Sequence, residues 1–193
     1  MPVQLLNKQI RDTIYRQTLA AVQQEAGEHD NLSGRCLDFA WHGYQILKDW
    51  PGAPRTIIQA GSAQWPRIPP EMDDDVSPTH FAYEWHPESE IAQLTLSGIV
   101  PVVRRADGYA APSLPEMHVW LGCPETGEII DFTTGMWPLA CRATLGLDCP
   151  AAVPPEYFWN FGTRRPFGVN YLPARDAIDC VITILRQQGR QYP

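Results

Sequence analysis

The 193-residue sequence lacks the features that mark membrane-spanning, secreted and nucleic-acid-binding proteins. No apolar run approaches the roughly 18 residues that a membrane-spanning helix needs. The first residues, MPVQLLNKQIRDTIYRQ, contain neither the apolar core nor the small-residue cleavage site of a signal peptide. The formal net charge is -7, and an acidic chain without a basic arm is a poor ligand for nucleic acids. We therefore expect a cytoplasmic protein that binds neither nucleic acid nor membrane.

The sequence also lacks the recurring spacings of disulfide frameworks, metal sites and nucleotide sites. Its five cysteines are irregularly spaced, which does not indicate a disulfide framework. No C-x-x-C or H-E-x-x-H motif for zinc is present, and no glycine-rich phosphate-binding loop. We therefore expect reduced thiols, no metal and no cofactor.

What the chain does have is enough apolar material for a sizeable core. Hydrophobic residues make up 44% of the sequence and charged residues 19%. The 19 prolines fall in short groups spread along the chain, which predicts short elements joined by stiff connections rather than one linker. There is no internal repeat. Residues 1–193 are thus expected to form a single domain.

The order of apolar patterns indicates an α+β fold. Helical spacing predicts helices over residues 4–25, 36–50 and about 174–188. Alternating or β-branched segments predict strands at 55–61, 80–85 and 99–103, and a hairpin of EMHVWLGC and EIIDFT around the turn Pro124–Gly127. Residues 136–172 are expected to be mostly irregular. Helices followed by antiparallel strands are typical of an α+β domain, with the N-terminal helices packed on the sheet.

One cysteine lies where a helix is predicted to begin. Cys36 directly follows Ser33-Gly34-Arg35. A helix N-terminus presents N–H groups and a partial positive charge, which favour a thiolate over a thiol. Cys36 is therefore a candidate nucleophile. The alternative is that it fills space in the core, as free cysteines commonly do.

The predicted hairpin brings a histidine and an aspartate onto one face. A turn centred on Glu125-Thr126 places Asp131 opposite Trp120 and leaves His118 diagonal to Asp131, about 7–8 Å away by backbone. An imidazole can span that gap to a carboxylate, which would fix its tautomer and stabilise the imidazolium. The alternative is a histidine and an aspartate on a solvated sheet surface.

Three segments of the chain together resemble a known family. Residues 34–40, GRCLDFA, are similar to the G-x-C-x-D-F-A nucleophile motif of bacterial transglutaminase-like proteins. His118-Val119-Trp120 is similar to their H-A-W, and Asp131-Phe132-Thr133 to their D-P-T. The segments occur in the family's order. The resemblance covers roughly residues 30–62 and 115–136.

The resemblance implies a papain-like fold and a catalytic triad. Cys36 would attack an amide carbonyl, His118 would move the proton, and Asp131 would orient His118. The backbone N–H of Cys36 would donate to the oxyanion. Arylamine acetyltransferases have a similar order of motifs, but this chain is short for their full architecture.

The sequence departs from the family pattern in three ways. The long stretch between cysteine and histidine implies an insertion at about residues 62–115. Phe132 replaces the proline of D-P-T, which predicts that the strand continues past Asp131. His80, within the insertion, is a rival for the base, but no aspartate follows it across a short hairpin, and His118 is preferred.

Other residues near these motifs have competing interpretations. Trp120 shares the face of His118 and would either shield the site and contact the substrate or belong to the core. Asp38 points about 200° away from Cys36 around the helix and is expected to form a structural hydrogen bond. His42 is likewise poorly placed to act on Cys36.

We therefore expect a cysteine-nucleophile hydrolase or acyltransferase that acts on amide bonds of a protein or peptide substrate. The alternative is a non-catalytic transglutaminase-like interaction module, with the aromatic segment 158–172 as its partner surface. The sequence leaves open the substrate, the choice between hydrolysis, acyl transfer and cross-linking, the second oxyanion donor and the oligomeric state, because all these activities use the same three residues.

Overall fold

The fold of the chain is α+β, as predicted. The computed structural model describes residues 6–27, 32, 34–66, 80–83, 85–86, 102–104, 110–112, 117–139, 156–161 and 169–193. The helices are α1 (Lys8–Ala26), α2 (Cys36–Asp49) and α3 (Arg175–Gln187). The strands are β1 (Ile57–Pro66), β2 (His80–Tyr83), β3 (Val102–Arg104), β4 (Ala110–Pro112), β5 (His118–Cys123), β6 (Glu128–Asp131), β7 (Phe158–Phe161) and β8 (Asn170–Pro173).

The strands pair into one larger and one smaller sheet within the described residues. The larger sheet has the order β2-β1-β5-β6-β7, and β8 also pairs with β1. The smaller sheet consists of β3 and β4, which are antiparallel. β5 therefore lies inside the larger sheet, which explains why nearly all of its side chains are buried.

The predicted hairpin has the predicted register. β5 and β6 are antiparallel and pair Leu121 with Ile130, Gly122 with Ile129 and Cys123 with Glu128. This is the register of a turn centred on Glu125-Thr126. The turn closes by hydrogen bonds from the Thr126 and Gly127 N–H groups to the Cys123 carbonyl, and Gly127 has a φ of 71° that other residues rarely adopt.

The strand does not continue past Asp131, so that prediction was wrong. β6 ends at Asp131, and a turn leads into a 3₁₀ segment, Thr134–Met136. The Asp131 side chain accepts hydrogen bonds from the N–H and the hydroxyl of Thr133. An aspartate that bonds the backbone two residues ahead forms a local turn that competes with the strand, and it ends the strand without a proline.

The prediction of an irregular segment over 136–172 was wrong at two places. β7 is antiparallel to β6, with Glu128 paired with Phe161 at one end and Asp131 paired with Phe158 at the other. β8 pairs with β1. The side chains of Phe158, Trp159 and Tyr171 are buried. These three aromatic side chains therefore belong to the hydrophobic core and do not form an exposed partner surface. Residues 162–168 of that segment lie outside the described part of the chain.

The chain divides into two compact units. The first comprises residues 1–59, 64–81 and 119–170, and the second comprises residues 60–63, 82–118 and 171–193. Most of the predicted insertion at 62–115 lies outside the described residues, so a single domain with an insertion stays a prediction. In the described residues, no helix combines the length and the apolar character that crossing a membrane requires.

Helix α2 is held closely against the β5–β6 hairpin in the first unit. Gly43 makes this possible, because a Cβ there would lie 2.5 Å from the Phe132 ring and 3.2 Å from a Leu121 methyl group. The Phe132 ring in turn contacts the rings of Tyr15 of α1 and Trp159 of β7, at 6.2 and 6.1 Å between centroids. Phe132, which replaces the expected proline, thus anchors both N-terminal helices to the end of β6.

A buried ionic contact joins α1 to the same strands. The Arg11 guanidinium lies 3.2 Å from the Glu128 carboxylate and 5.1 Å from the centroid of the Trp159 ring. The Trp159 indole N–H also donates to Glu128, and the Thr126 hydroxyl donates to its other oxygen. Both carboxylate oxygens of Glu128 are therefore satisfied, as a buried charge requires.

Candidate functional site

Cys36 is the first residue of α2, and its side chain is half-buried. The chain enters the helix through Gly34, with a φ of 81°, and through Arg35 at the N-cap position. Arg35 makes no side-chain capping bond. Its Nε instead donates to Asp38 at 2.7 Å, which confirms the expected structural bond of Asp38. Cys36 thus lies at a helix N-terminus whose N-cap side chain points to Asp38.

The face of α2 that bears Cys36 is the face that packs on the hairpin. Cys36 and Gly43 are seven residues apart, which is close to two full helical turns. They therefore lie on the same side of α2, about 10 Å apart along its axis. Since Gly43 contacts Phe132 and Leu121, Cys36 lies on the hairpin side of the helix. Asp38 lies on another side.

Asp131 is buried at the last position of β6, with 1% of its surface exposed. Its Oδ1 accepts from the Thr133 N–H at 2.9 Å and from the Thr133 hydroxyl at 2.7 Å. These two bonds fix the orientation of the carboxylate. Sequence analysis singled out Asp131 but missed the role of Thr133, for which the signal is an Asp-x-Thr sequence at a strand end.

His118 is buried at the first position of β5, also with 1% exposed. Its ring is stacked on Tyr83, with 4.9 Å between the centroids and 17° between the planes. The Tyr171 ring lies 6.3 Å away at 38°. Sequence analysis missed both tyrosines. Tyr83 lies in the predicted strand 80–85, whereas Tyr171 lies in the segment that was expected to be irregular.

The three predicted catalytic residues are held by different parts of the fold. Cys36 and Asp131 belong to the first unit, and His118 belongs to the second. The observed pairing puts Leu121 and Ile130 on the side of the hairpin that faces α2. Because strand residues alternate, Asp131 and His118 both fall on the side opposite Leu121.

The structure also locates the other residues that were considered as site residues. Trp120 is buried, with 3% of its surface exposed. His42 forms a 2.6 Å contact with Glu25 of α1, which is a structural role. His80 begins β2, but its side chain lies outside the described part of the structure.

The described thiols differ in their surroundings. Cys123 is buried, and burial together with the nearby Glu128 carboxylate raises the pKa of its thiol to about 12. Cys180 is exposed on α3. Cys141 and Cys149 lie outside the described residues. Of the three, only Cys36 is at a helix N-terminus. Within the described segments, no three His, Cys, Asp or Glu side chains are grouped as metal ligands.

A shallow groove of about 350 Å³ lies at the other end of α2. It is lined by Gln17, Gln45, Ile46, Asp49, Trp50 and Pro51. The groove contains no nucleophile and is formed around the last turn of α2, whereas Cys36 begins the first. It is therefore separate from the candidate catalytic residues.

The comparisons with known proteins establish a fold relationship. No protein-family model and no curated protein matches the chain. A solved structure matches it with a TM-score of 0.54, over 98% of this chain and 76% of the other. That crystal structure is described only as a genomics target, and the two sequences are 14% identical. The match shows a shared fold.

Proposed function

We propose that the protein is a cysteine-nucleophile hydrolase or acyltransferase with a transglutaminase-like, papain-like core. It acts on amide bonds of a protein or peptide through a thioester acyl-enzyme. Cys36 is the nucleophile, His118 the general base and acid, and Asp131 the carboxylate that orients the imidazole. Hydrolysis is preferred over acyl transfer because no dedicated amine site is recognisable in the sequence.

The observation that carries the proposal is the position of Cys36. It begins a helix, without a side-chain cap at its N-terminus, on the helical face that packs against the β5–β6 hairpin. That hairpin is the element from which the histidine and the aspartate come, and its register is the one on which the pairing of His118 with Asp131 was predicted.

The proposed site has a definite geometric requirement. Regular alternation turns Asp131 away from the Leu121 side of the hairpin, which is the side that packs on α2. The three residues are all terminal: Cys36 begins α2, His118 begins β5 and Asp131 ends β6. The proposal therefore assigns the chemistry to the ends of these elements and not to the face on which α2 packs.

The proposed reaction has two steps. His118 takes the thiol proton of Cys36, and the sulfur attacks the amide carbonyl to form a tetrahedral oxyanion beside the Cys36 N–H. The C–N bond then breaks, the amine leaves with the proton from the imidazolium, and a thioester remains. Water attacks the thioester, gives its proton to His118, and the acid leaves as the thiol is restored. Trp120 is buried and is therefore not an exposed substrate contact.

The test uses two small reagents on the full chain. Iodoacetamide reports how nucleophilic each thiol is, and p-nitrophenyl acetate reports acylation, since thiolate attack releases p-nitrophenolate. We expect Cys36 to be alkylated faster than Cys180 at pH 6, because only a thiolate reacts. Cys36→Ser should abolish the release of p-nitrophenolate. His118→Gln should lower it by about 10²-fold or more, and Asp131→Asn should lower it less.

The control is Cys180→Ala, which removes an exposed thiol and should leave both reactions unchanged. Circular dichroism and a urea unfolding curve establish that each variant is folded. Alkylation of Cys36 no faster than that of Cys180, together with full activity of His118→Gln, would falsify the catalytic proposal and favour the non-catalytic interaction module. Loss of activity in His80→Gln but not in His118→Gln would instead move the base to His80.

A further inference from the structure

The imidazole of His118 has an aromatic environment that the catalytic proposal does not use. Tyr83 of β2 stacks on it nearly in parallel, and Tyr171 of β8 lies against it at a steeper angle. All three residues belong to the second unit. His118 is almost fully buried, whereas Tyr83 is only half-buried. Tyr83 is thus on the solvent side of the stacked pair.

The sequence of β1 lets these rings meet. In the sheet order, β1 lies between β2 and β5. The middle of β1 is Ala60-Gly61-Ser62-Ala63, a run of small residues. Side chains from the strands on either side can therefore reach across it. The Ser62 hydroxyl also accepts from the Trp85 N–H at 2.9 Å, which ties the chain just after β2 to β1.

Gly61 of β1 allows β8 to lie very close to β1, because it has no side chain. Its φ of +154° is one that residues with a side chain rarely adopt, and a Cβ there would lie 2.8 Å from the Ala174 nitrogen and 3.1 Å from the Pro173 Cα. The Ala174 N–H donates to the Ala60 carbonyl at 2.9 Å. This close approach positions β8, and with it Tyr171, beside His118.

We propose that Tyr83 is a positioning residue that holds the His118 imidazole by stacking, with Tyr171 supporting the ring from β8. Stacking fixes the plane of the imidazole, and a base must be aligned with the proton it transfers. The inference rests on the catalytic proposal, because positioning affects turnover only if His118 is the base. The stacking itself can be measured without any activity.

The first readout is the NMR signal of the His118 ring protons, assigned with His118→Gln. Protons above a tyrosine face are shifted upfield by its ring current. Tyr83→Leu removes that ring, so the signals should move downfield, whereas Tyr83→Phe retains it and should preserve them. Leu172→Ala, at an exposed position of β8, is the matched control and should change nothing.

The second readout is the hydrolysis of p-nitrophenyl acetate. We expect Tyr83→Leu to lower kcat by about threefold to tenfold with little change in KM, the effect of one lost aromatic pair. Tyr83→Phe should restore it. If Tyr83→Leu moves the His118 ring-proton signals downfield but leaves kcat unchanged, Tyr83 is not a positioning residue. The catalytic proposal is unaffected by that result. Full activity of His118→Gln would overturn both. An unchanged NMR signal in Tyr83→Leu would disprove the stacking.

Discussion

At the scale of single residues, the three described cysteines differ in the surroundings on which the reactivity of a thiol depends. Cys36 is at the start of a helix, Cys123 is inside a hairpin beside a carboxylate, and Cys180 is on the exposed side of α3. The residue type is the same, but the dielectric surroundings and neighbouring charges differ. Those surroundings, and not the thiol itself, determine how much thiolate forms.

Cys123 is predicted to be inert in the folded protein. Its pKa is raised to about 12 by burial and by Glu128, so the thiol stays protonated below that pH. At pH 8 the thiolate of Cys123 is therefore a very minor species. In a time course with iodoacetamide followed by peptide mass spectrometry, the exposed Cys180 should be modified and Cys123 should not react.

Unfolding supplies the control for this prediction, because Cys123 and Cys180 should react at similar rates in 8 M urea. Equal labelling of the two thiols in the native protein would contradict the burial and the charge environment of Cys123 described above.

The residues that the sequence singled out differ in kind from those that it did not. Cys36, His118 and Asp131 were proposed because nucleophile, base and carboxylate are chemically distinct residue types at recognisable positions. Tyr83 and Tyr171 were missed, since they are ordinary strand aromatics until the sheet order brings their strands to β1. Thr133 was missed because its two bonds depend on where β6 ends.

At the scale of elements, the β5–β6 hairpin was the most predictable part of the fold. A proline-and-glycine turn between two apolar runs leaves few registers, and a shift by one residue would turn every buried side chain to the other face. The end of β6 was less predictable. A proline was expected to be needed for a turn, whereas the Asp131 side chain supplies one through Thr133.

The contact between α1 and the sheet depends on an ion pair whose two partners differ in burial. Glu128 is 2% exposed and Arg11 is 20% exposed. Removing the arginine leaves a buried charge without its partner, whereas removing the carboxylate charge leaves an arginine that water can reach. We therefore expect Arg11→Ala to lower the free energy of unfolding by about 3 kcal/mol, and Glu128→Gln by clearly less.

The decisive measurement is a double-mutant cycle by urea unfolding. Adding Glu128→Gln to Arg11→Ala should recover part of the lost stability, because the unpaired charge is then gone. Lys8→Ala, which removes an exposed charge from the same helix, is the control and should have a small effect. Additive losses in the double variant would show that the two residues do not interact.

At the scale of the whole molecule, the acidic composition is a property that no tertiary contact changes. The net charge is -7 at pH 7, and the sequence pI is about 5.1. Because repulsion between molecules vanishes when the net charge is zero, we expect a solubility minimum near pH 5. The polyethylene glycol concentration that precipitates half of the protein, measured from pH 4 to 8, checks this.

A charge-reversal variant tests whether the net charge determines the pH of the solubility minimum. Lys48 is exposed in the last turn of α2, and Lys48→Glu should move the minimum to lower pH. It should also lower the free energy of unfolding at pH 7 by about 1 kcal/mol, because a negative charge there opposes the helix dipole. A minimum that stays at one pH in both proteins would show that local patches, and not the net charge, control association.

The sequence by itself determined the class of the fold, the helix and the two strands that contain the candidate triad, and the register of the hairpin. These follow from periodicity and turn chemistry, which act over a few neighbouring residues. Only the tertiary structure decided that β7 and β8 join the larger sheet, that Gly43 lets α2 approach Phe132, and that Tyr83 covers His118. Those contacts join residues far apart in the chain, and short-range patterns contain no information about which distant segments will meet.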